Sequence, residues 1–343
     1  MTRSYTELSA VIRELGLLRR SPVFYVCVGV ALVLGFAALF VLSILLGPTW
    51  WQLLVAAGLG ILLTQVAFVA HEAGHRAILA TGPAGERLAR FLAVGVVGMS
   101  FSWWNSKHSR HHGNPNQIGK DPDIAVDTIS FVEEDAVEAR GVRGWITRRQ
   151  GWLFFPLLMA EGINLHVLSV RHILSRRATP RRALEIVLLT IRFTVFLAPV
   201  FIFLPFGMAC AFIGVQLAVF GLYMGASFAP NHKGMPILAP DARVDFFTKQ
   251  VRTSRNIRGG WWATVLFGGL NFQIEHHLFP NMPRPQLARA RTIVREYCER
   301  VSVPYTEESL WRSYGIVVRY LNRVGLSARD PFECHVVARY RSL

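Results

Sequence analysis

Eleven histidines are spread unevenly along this 343-residue chain. Two stand four residues apart in "HEAGH" (His71, His75), three crowd together in "HSRHH" (His108, His111, His112), and two are adjacent in "QIEHH" (His276, His277). His232 follows an apolar run in "APNHKG", while His166, His172 and His335 fall outside these groups. Residues i and i+4 share a helical face, so His71 and His75 can grip one ion, and the i, i+3, i+4 spacing of the second group presents a tight fan. Imidazole suits iron, zinc and copper. A catalytic zinc uses only three protein ligands. The eight clustered imidazoles therefore suit two metal ions at about four each. Gln273, Glu72, Asn231 and Asn271 are further candidates, as ligands or as groups that orient one. Two neighbouring redox irons with open positions can bind and activate O2. That is the chemistry needed to attack an unactivated C–H bond in a lipid chain.

The first group also spells His-Glu-x-x-His, the pattern of a zinc protease with Glu72 as base. A membrane zinc metalloprotease would need a third ligand, often an aspartate, within a span. No Asp occurs in any predicted span, and two further histidine groups would be unexplained. Glu72 is better read as a side chain that orients a ligand imidazole.

The elements that must position these groups are membrane helices. The chain is 52% hydrophobic and 17% charged, with mean hydropathy +0.33. Soluble domains carry nearer 25% charge. Val23 to Ala70 contains no charged residue, which is too long for one span and right for two, since a span needs roughly 20 apolar residues. Gly47-Pro48 breaks the stretch. Phe193 to His232 is again free of Asp, Glu, Lys and Arg, with Pro205-Phe206-Gly207 as the turn. Spans are expected at about 23–46, 50–70, 184–204 and 207–229. Arg192 is expected to snorkel to the membrane interface.

The net charge of +15 lies at the ends opposite the two uncharged turns, at Arg19, Arg20, Arg76, Arg87, Arg90, Arg176, Arg177, Arg181, Arg182 and Lys233. This positive-inside pattern predicts cytoplasmic termini, and argues against nucleic acid as the reason for the charge. Arg19-Arg20 resembles a twin-arginine signal, but the apolar run that follows is too long for a cleaved segment. Only four of the 37 cations are Lys, a bias that suggests a bacterial inner membrane. Cys27, Cys210, Cys298 and Cys334 are scattered, with no disulfide framework and no zinc-knuckle spacing.

Groups that share one centre must lie on one side of the membrane. His75 ends the second span, and two further crossings return the chain to that side at His232. The stretches 88–104 and 261–273 are too short or too Gly-rich to span, so all eight clustered histidines can converge just outside the lipid. The expected fold is all-α and polytopic, a single domain over 1–343. Four transmembrane helices in two pairs carry a cytoplasmic helical cap formed by about 71–183 and 230–343.

The boxes His71-x-x-x-His75, His108-x-x-His111-His112 and Gln273-x-x-His276-His277, around two paired spans, closely resemble those of the membrane fatty acid desaturase family, over about residues 50–290. The resemblance implies a non-haem di-iron centre on the cytoplasmic face, O2 as co-substrate, and a cis double bond made in a fatty acyl chain held in a kinked tunnel. It implies a further histidine ligand after the fourth span, matched here by His232 with Asn231 beside it. Gln273 in place of histidine is similar to the third box of "front-end" members, which often carry a fused cytochrome b5 domain. No His-Pro-Gly-Gly haem motif occurs in the sequence. Electrons are therefore expected from a separate donor such as ferredoxin, rubredoxin or cytochrome b5 with its reductase.

A hydroxylase or ketolase of a lipid, alkane, sterol or carotenoid is the nearest alternative on the same scaffold. A transporter would place ionisable groups inside the spans, where they are nearly absent. His166 and His172 are expected in structural roles on an interfacial helix, and His335 on a solvated surface. Trp103, Trp104, Trp261 and Trp262 fit an interfacial aromatic belt. Asp121 and Asp123 in "GKDPD" read as a solvated loop, with pairing to a donor protein or to ligand histidines as the other reading. Basic residues near the membrane suit anionic head groups or the phosphates of acyl-CoA, so acyl-lipid and acyl-CoA both fit as substrate.

Overall fold

The computed structural model describes residues 3–175 and 179–327. Five helices are long and apolar enough to cross a membrane: Pro22–Leu46, Gln52–Gly74, Gln150–Leu174, Arg182–Phe203 and Phe206–His232. Four match the spans read from the sequence. The fifth, Gln150–Leu174, was legible only as an interfacial stretch, because Pro156, Glu161, His166 and Arg171 interrupt its apolar run. All of the large architecture is helical. Two three-residue strands, Asn256–Arg258 and Glu307–Ser309, pair in parallel and were not expected.

Each pair of spans closes on a tight turn. Gly47 takes φ 57°, a conformation that favours glycine. Gln52 staples this turn, donating to the carbonyls of Ser43 and Gly47 at 2.8 Å each and accepting from the Ser43 hydroxyl at 3.0 Å. Leu204-Pro205 separates the second pair. Large apolar side chains of Pro22–Leu46, among them Val26, Val33, Phe40 and Leu45, point outward, as lipid-facing residues do.

The Gln150–Leu174 helix crosses the Phe206–His232 helix at two glycines. A methyl group at Gly162 would overlap the Leu217 carbonyl, and one at Gly221 would overlap the Gly162 backbone. Small residues of this kind let helices approach closely in lipid. The first turn of Gln150–Leu174 packs on Val318 and Asn322 of the Leu310–Ser327 helix. Its last turn puts Ile173 in a cluster with Ala70, Ala89 and Phe101.

Neither stretch expected to stay out of the membrane is among the candidate spans. The first becomes a helix at Gly82–Arg90, a π-helical segment at Phe91–Val97 and, after Gly98 at φ 92°, the helix Phe101–Gly113. The second becomes Trp261–Leu266 and the single turn Leu270–Phe272. Arg192, expected to snorkel, has partners within the protein. Its Nε donates to the Val96 carbonyl at the end of the π-helical segment, and its guanidinium lies 4.6 Å from the Phe196 ring centre. A carbonyl set free by irregular backbone takes the donor. Glu185, fully buried, bonds Arg90 and the hydroxyls of Ser100 (2.6 Å) and Ser102 (2.7 Å), tying the Arg182–Phe203 helix to the helix that carries the second box.

The C-terminal portion forms its own core. Phe247, Ile274, Leu278, Val294 and Tyr297 pack with Leu8 and Ile12 of the Arg3–Glu14 helix. Cys27 and Cys210 are exposed free thiols and Cys298 a buried one. Cys334 and His335, and the cations Arg176 and Arg177, lie outside the described residues.

Candidate metal centre

Three local geometries bring the histidines together. His71 and His75 sit at the C-terminal end of Gln52–Gly74. In Phe101–Gly113, whose first turn Ser100 caps by accepting from Trp103 N at 3.1 Å, His108 and His112 share a face and His111 points about 100° away. His276 and His277 are consecutive on the short helix Gln273–Leu278, so they too diverge.

The result is two adjoining groups. His71, His75, His108, His112 and His276 place one ring nitrogen each within 4.8 Å of one another, and so do His111, His232 and His277. Each adjacent pair, His111–His112 and His276–His277, therefore gives one imidazole to each group. The rings of His112 and His277 stack 4.3 Å apart between them.

The donor set is chemically consistent with cations. His108 Nε2 lies 3.0, 2.8 and 3.0 Å from the Nε2 atoms of His71, His75 and His112. One ring nitrogen carries one proton or one lone pair, so it cannot satisfy three neighbours; a shared ion can. His277 Nε2 is buried without a partner, while its Nδ1 donates to Gln250 Oε1 at 2.8 Å. Burial first, then the neighbouring imidazoles, hold His108, His112, His276 and His277 well below the usual histidine range. They are thus neutral, the form that ligates metal.

Carbonyls and carboxylates fix the tautomers from behind. His232 Nδ1 donates to the Thr253 carbonyl at 2.9 Å, leaving Nε2 facing the group. His111 Nδ1 lies 3.0 and 3.1 Å from the two oxygens of Asp121, which also accepts from Asn116 N at 2.7 Å and from Asp123 N at 2.9 Å. Burial opposes charge on His111, but Asp123 and the Asp121 hydrogen bond outweigh it and raise its pKa. Asp123 in turn is paired with Lys107 at 2.9 Å. Asp121, only 2% exposed, is therefore no solvated loop residue: it pairs with a box histidine.

Glu72 departs from its expected part as well. Its carboxylate accepts from Tyr25 Oη at 2.9 Å, from Arg284 Nε at 3.2 Å, and from a second Arg284 nitrogen; Arg284 N donates to Tyr25 Oη at 3.1 Å. No imidazole is among these partners. A carboxylate held by both guanidinium donors is not a free base, which removes the protease reading of this box. Asn231 bonds Gln273, and Gln273 reaches His232; both are buried. Asn271 is buried and, among the described residues, its side chain reaches only Thr264 Oγ1, at 3.5 Å.

Trp104 stacks on His108 at 4.6 Å, so it walls the centre rather than joining an aromatic belt. Trp261 and Trp262 are exposed, as a belt requires. His166 stands apart, its nitrogens against the carbonyls of Gly162 (2.6 Å) and Val97 (3.3 Å), and His172 lines a polar cleft with Arg76 and Asn105. Sequence reasoning missed Gln250, Thr253, Tyr25 and Arg284. These residues are of ordinary type and far from the boxes in the chain, and no spacing marks them.

Comparison with known proteins agrees with this construction. The family model described as fatty acid desaturase matches residues 48–309. A Delta(8)-fatty-acid desaturase of Helianthus annuus is 29% identical, over 96% of this chain and 75% of its own length. Delta(8)-fatty-acid desaturase 2 of Arabidopsis thaliana is 29% identical over 96% and 76%. A Delta 8-(E)-sphingolipid desaturase of Lachancea kluyveri is 27% identical over 97% and 62%. A membrane-type helical architecture, three histidine boxes converging on a buried centre and a match over most of the length lead to one assignment: the chain is an oxidoreductase of the fatty acid desaturase family.

Proposed function

We propose that this chain desaturates a fatty acyl chain, as acyl-lipid or acyl-CoA, at a di-iron centre held by His71, His75, His108, His111, His112, His232, His276 and His277. The convergence of these residues into two contiguous groups is the observation that carries the reading. Two iron ions bound there supply O2 activation. The overall change converts –CH2–CH2– with O2, two electrons and two protons into –CH=CH– and two waters. The chain's own residues supply the rest. Burial keeps His108, His112, His276 and His277 neutral, Asp121, Thr253 and Gln250 hold His111, His232 and His277 in one tautomer, and Trp104 walls one side of the centre. The electrons come from a separate donor protein such as ferredoxin, rubredoxin or cytochrome b5 with its reductase.

The relatives act, by their names, on fatty acids and sphingolipids at the eighth position. An acyl chain or a sphingoid base with its new double bond near that carbon is the matching substrate. The Gln273 form of the third box agrees with bond formation toward the polar end.

Four crossings, with the termini and the centre on the cytoplasmic face, fit the histidine geometry. His71 and His232 end their helices at one centre, so an even number of crossings must separate them. The Arg182–Phe203 and Phe206–His232 pair supplies two. The Gln150–Leu174 helix then lies along the interface, in keeping with the packing of its first turn on the Leu310–Ser327 helix. The bacterial inner membrane rests on the arginine bias alone, since the relatives named above come from plants and a yeast.

The deciding experiment is expression with a reductase and donor in a host of known lipid content, followed by mass spectrometry of fatty acids and sphingoid bases. New unsaturated chains are expected. A product heavier by one oxygen, with no new double bond, would assign hydroxylation instead.

A further inference from the structure

Gln273 stands first in the third box, where an oxygen ligand to the metal is one option. Its orientation is set by backbone carbonyls, which cannot turn round. The side-chain amide of Asn231 lies against the carbonyls of Ser227 at 3.3 Å and Leu270 at 3.0 Å. A carbonyl oxygen only accepts, so the atom facing both is the amide nitrogen, Nδ2. The same nitrogen lies 3.1 Å from the Gln273 side chain, and the atom it meets there must also accept: Gln273 Oε1. That oxygen is thereby occupied. Gln273 Nε2 is left 2.9 Å from His232 Nε2.

The alternatives fail on the same groups. Turning the Gln273 amide sets two NH2 groups against each other. Turning both amides sets the Asn231 oxygen against two carbonyl oxygens. On the far side, the Thr253 carbonyl holds the His232 proton on Nδ1, so His232 Nε2 presents its lone pair to the centre. The rings of His111 and His277 lie 4.7 and 4.8 Å from that of His232. In the metal-free chain one N–H of Gln273 donates to that lone pair, so its NH2 faces the pocket that these three imidazoles line, at the position an ion bound to His232 would share.

We propose that Gln273 is a hydrogen-bond donor into the metal pocket and not a metal ligand, its amide held in that sense by Asn231. This rests on the two-metal reading above. An ion held by His111, His232 and His277 would then take three ligands from the chain. The place next to the amide is left to an oxygen acceptor that is not part of the protein. An N–H group stabilises electron density on such an oxygen, which an amide carbonyl would repel.

The test uses the full chain in lipid nanodiscs, loaded anaerobically with ferrous iron. Iron per chain is counted by mass spectrometry, and first-shell oxygen and nitrogen atoms by X-ray absorption at the iron edge. Gln273→Leu removes the donor at nearly constant shape. It should keep two irons and an unchanged first shell, while turnover falls by about 10²–10³-fold, as for other preorganised donors. Gln273→Glu places a carboxylate oxygen where the NH2 stood, and should add one first-shell oxygen per iron pair. Loss of an iron or of a first-shell oxygen in Gln273→Leu would overturn the proposal, as would full turnover there. So would an unchanged shell in Gln273→Glu, which alone decides the matter should the leucine variant not fold. A wild-type chain that takes up no iron pair would instead overturn the metal reading itself.

Discussion

Replacing Asp121 by asparagine separates support of a metal ligand from loss of one. The two oxygens of Asp121 serve three donors: His111 Nδ1, Asn116 N at 2.7 Å and Asp123 N at 2.9 Å. An asparagine has the same shape but one oxygen. Its NH2 must face one of those N–H groups, leaving a buried donor unpaired at a cost of about 1–3 kcal/mol. The imidazole also loses the charge that favours its Nδ1 proton. Changes of this kind weaken metal binding by about 10–100-fold, or about 1.4–2.8 kcal/mol. The loss should be local. His111 belongs with His232 and His277, whereas the five-histidine group has no bond to Asp121. Titration of the metal-free chain with ferrous iron, read by calorimetry and by iron per chain, should show one site unchanged and one weakened. Two sites of wild-type affinity in Asp121→Asn, in a chain that folds as the parent does, would refute the argument that the carboxylate fixes His111.

Other perturbations address separate parts of the structure. His112 touches both groups through His108, His276 and His277, so His112→Ala should abolish product formation while leaving membrane insertion intact; measurable turnover would count against a shared centre. Arg284→Met leaves Glu72 as an uncompensated buried charge and should cost about 3–5 kcal/mol, seen as a lower unfolding temperature in detergent. The metal-free chain should lose stability as pH falls below about 6.5, the unfolded histidine value. His108, His112, His276 and His277 are depressed by burial and bind protons more readily unfolded; His111, shifted upward by Asp123 and Asp121, and Glu275, pushed up to about 7 by burial, oppose them but are fewer. An unfolding temperature that does not drop between pH 7 and pH 5 would contradict this sign.

Much of the centre could be read from the chain because its chemistry is periodic. Histidine at i and i+4, beside charge-free runs, requires a face and a depth, and counting crossings puts His75 and His232 together. What could not be read is what the structure achieves by long-range pairing. The "GKDPD" loop reads as solvent-exposed by composition, yet Asp121 is drawn inside by His111 and two backbone N–H groups. Glu72 lies between two ligand candidates and reads as their support, but a guanidinium from the far end of the chain claims it. Gln150–Leu174 carries too many polar residues to stand out as a span, because its polar side chains bond locally, Asn164 to Glu161 and His166 to Gly162. Arg192 reads as a snorkelling residue because no sequence pattern announces the π-helical carbonyl that it binds.

The bond between Glu72 and Arg284 joins residues 212 positions apart. During synthesis the acid reaches the bilayer edge long before its cation exists, with the Tyr25 hydroxyl as its earlier partner. The spans must therefore insert around an unmatched charge, with the first histidine pair open to water until the last third of the polypeptide arrives. Ribosome-bound chains ending before Arg284 should be membrane-integrated but unable to retain iron, whereas chains extending past Leu310 should hold it.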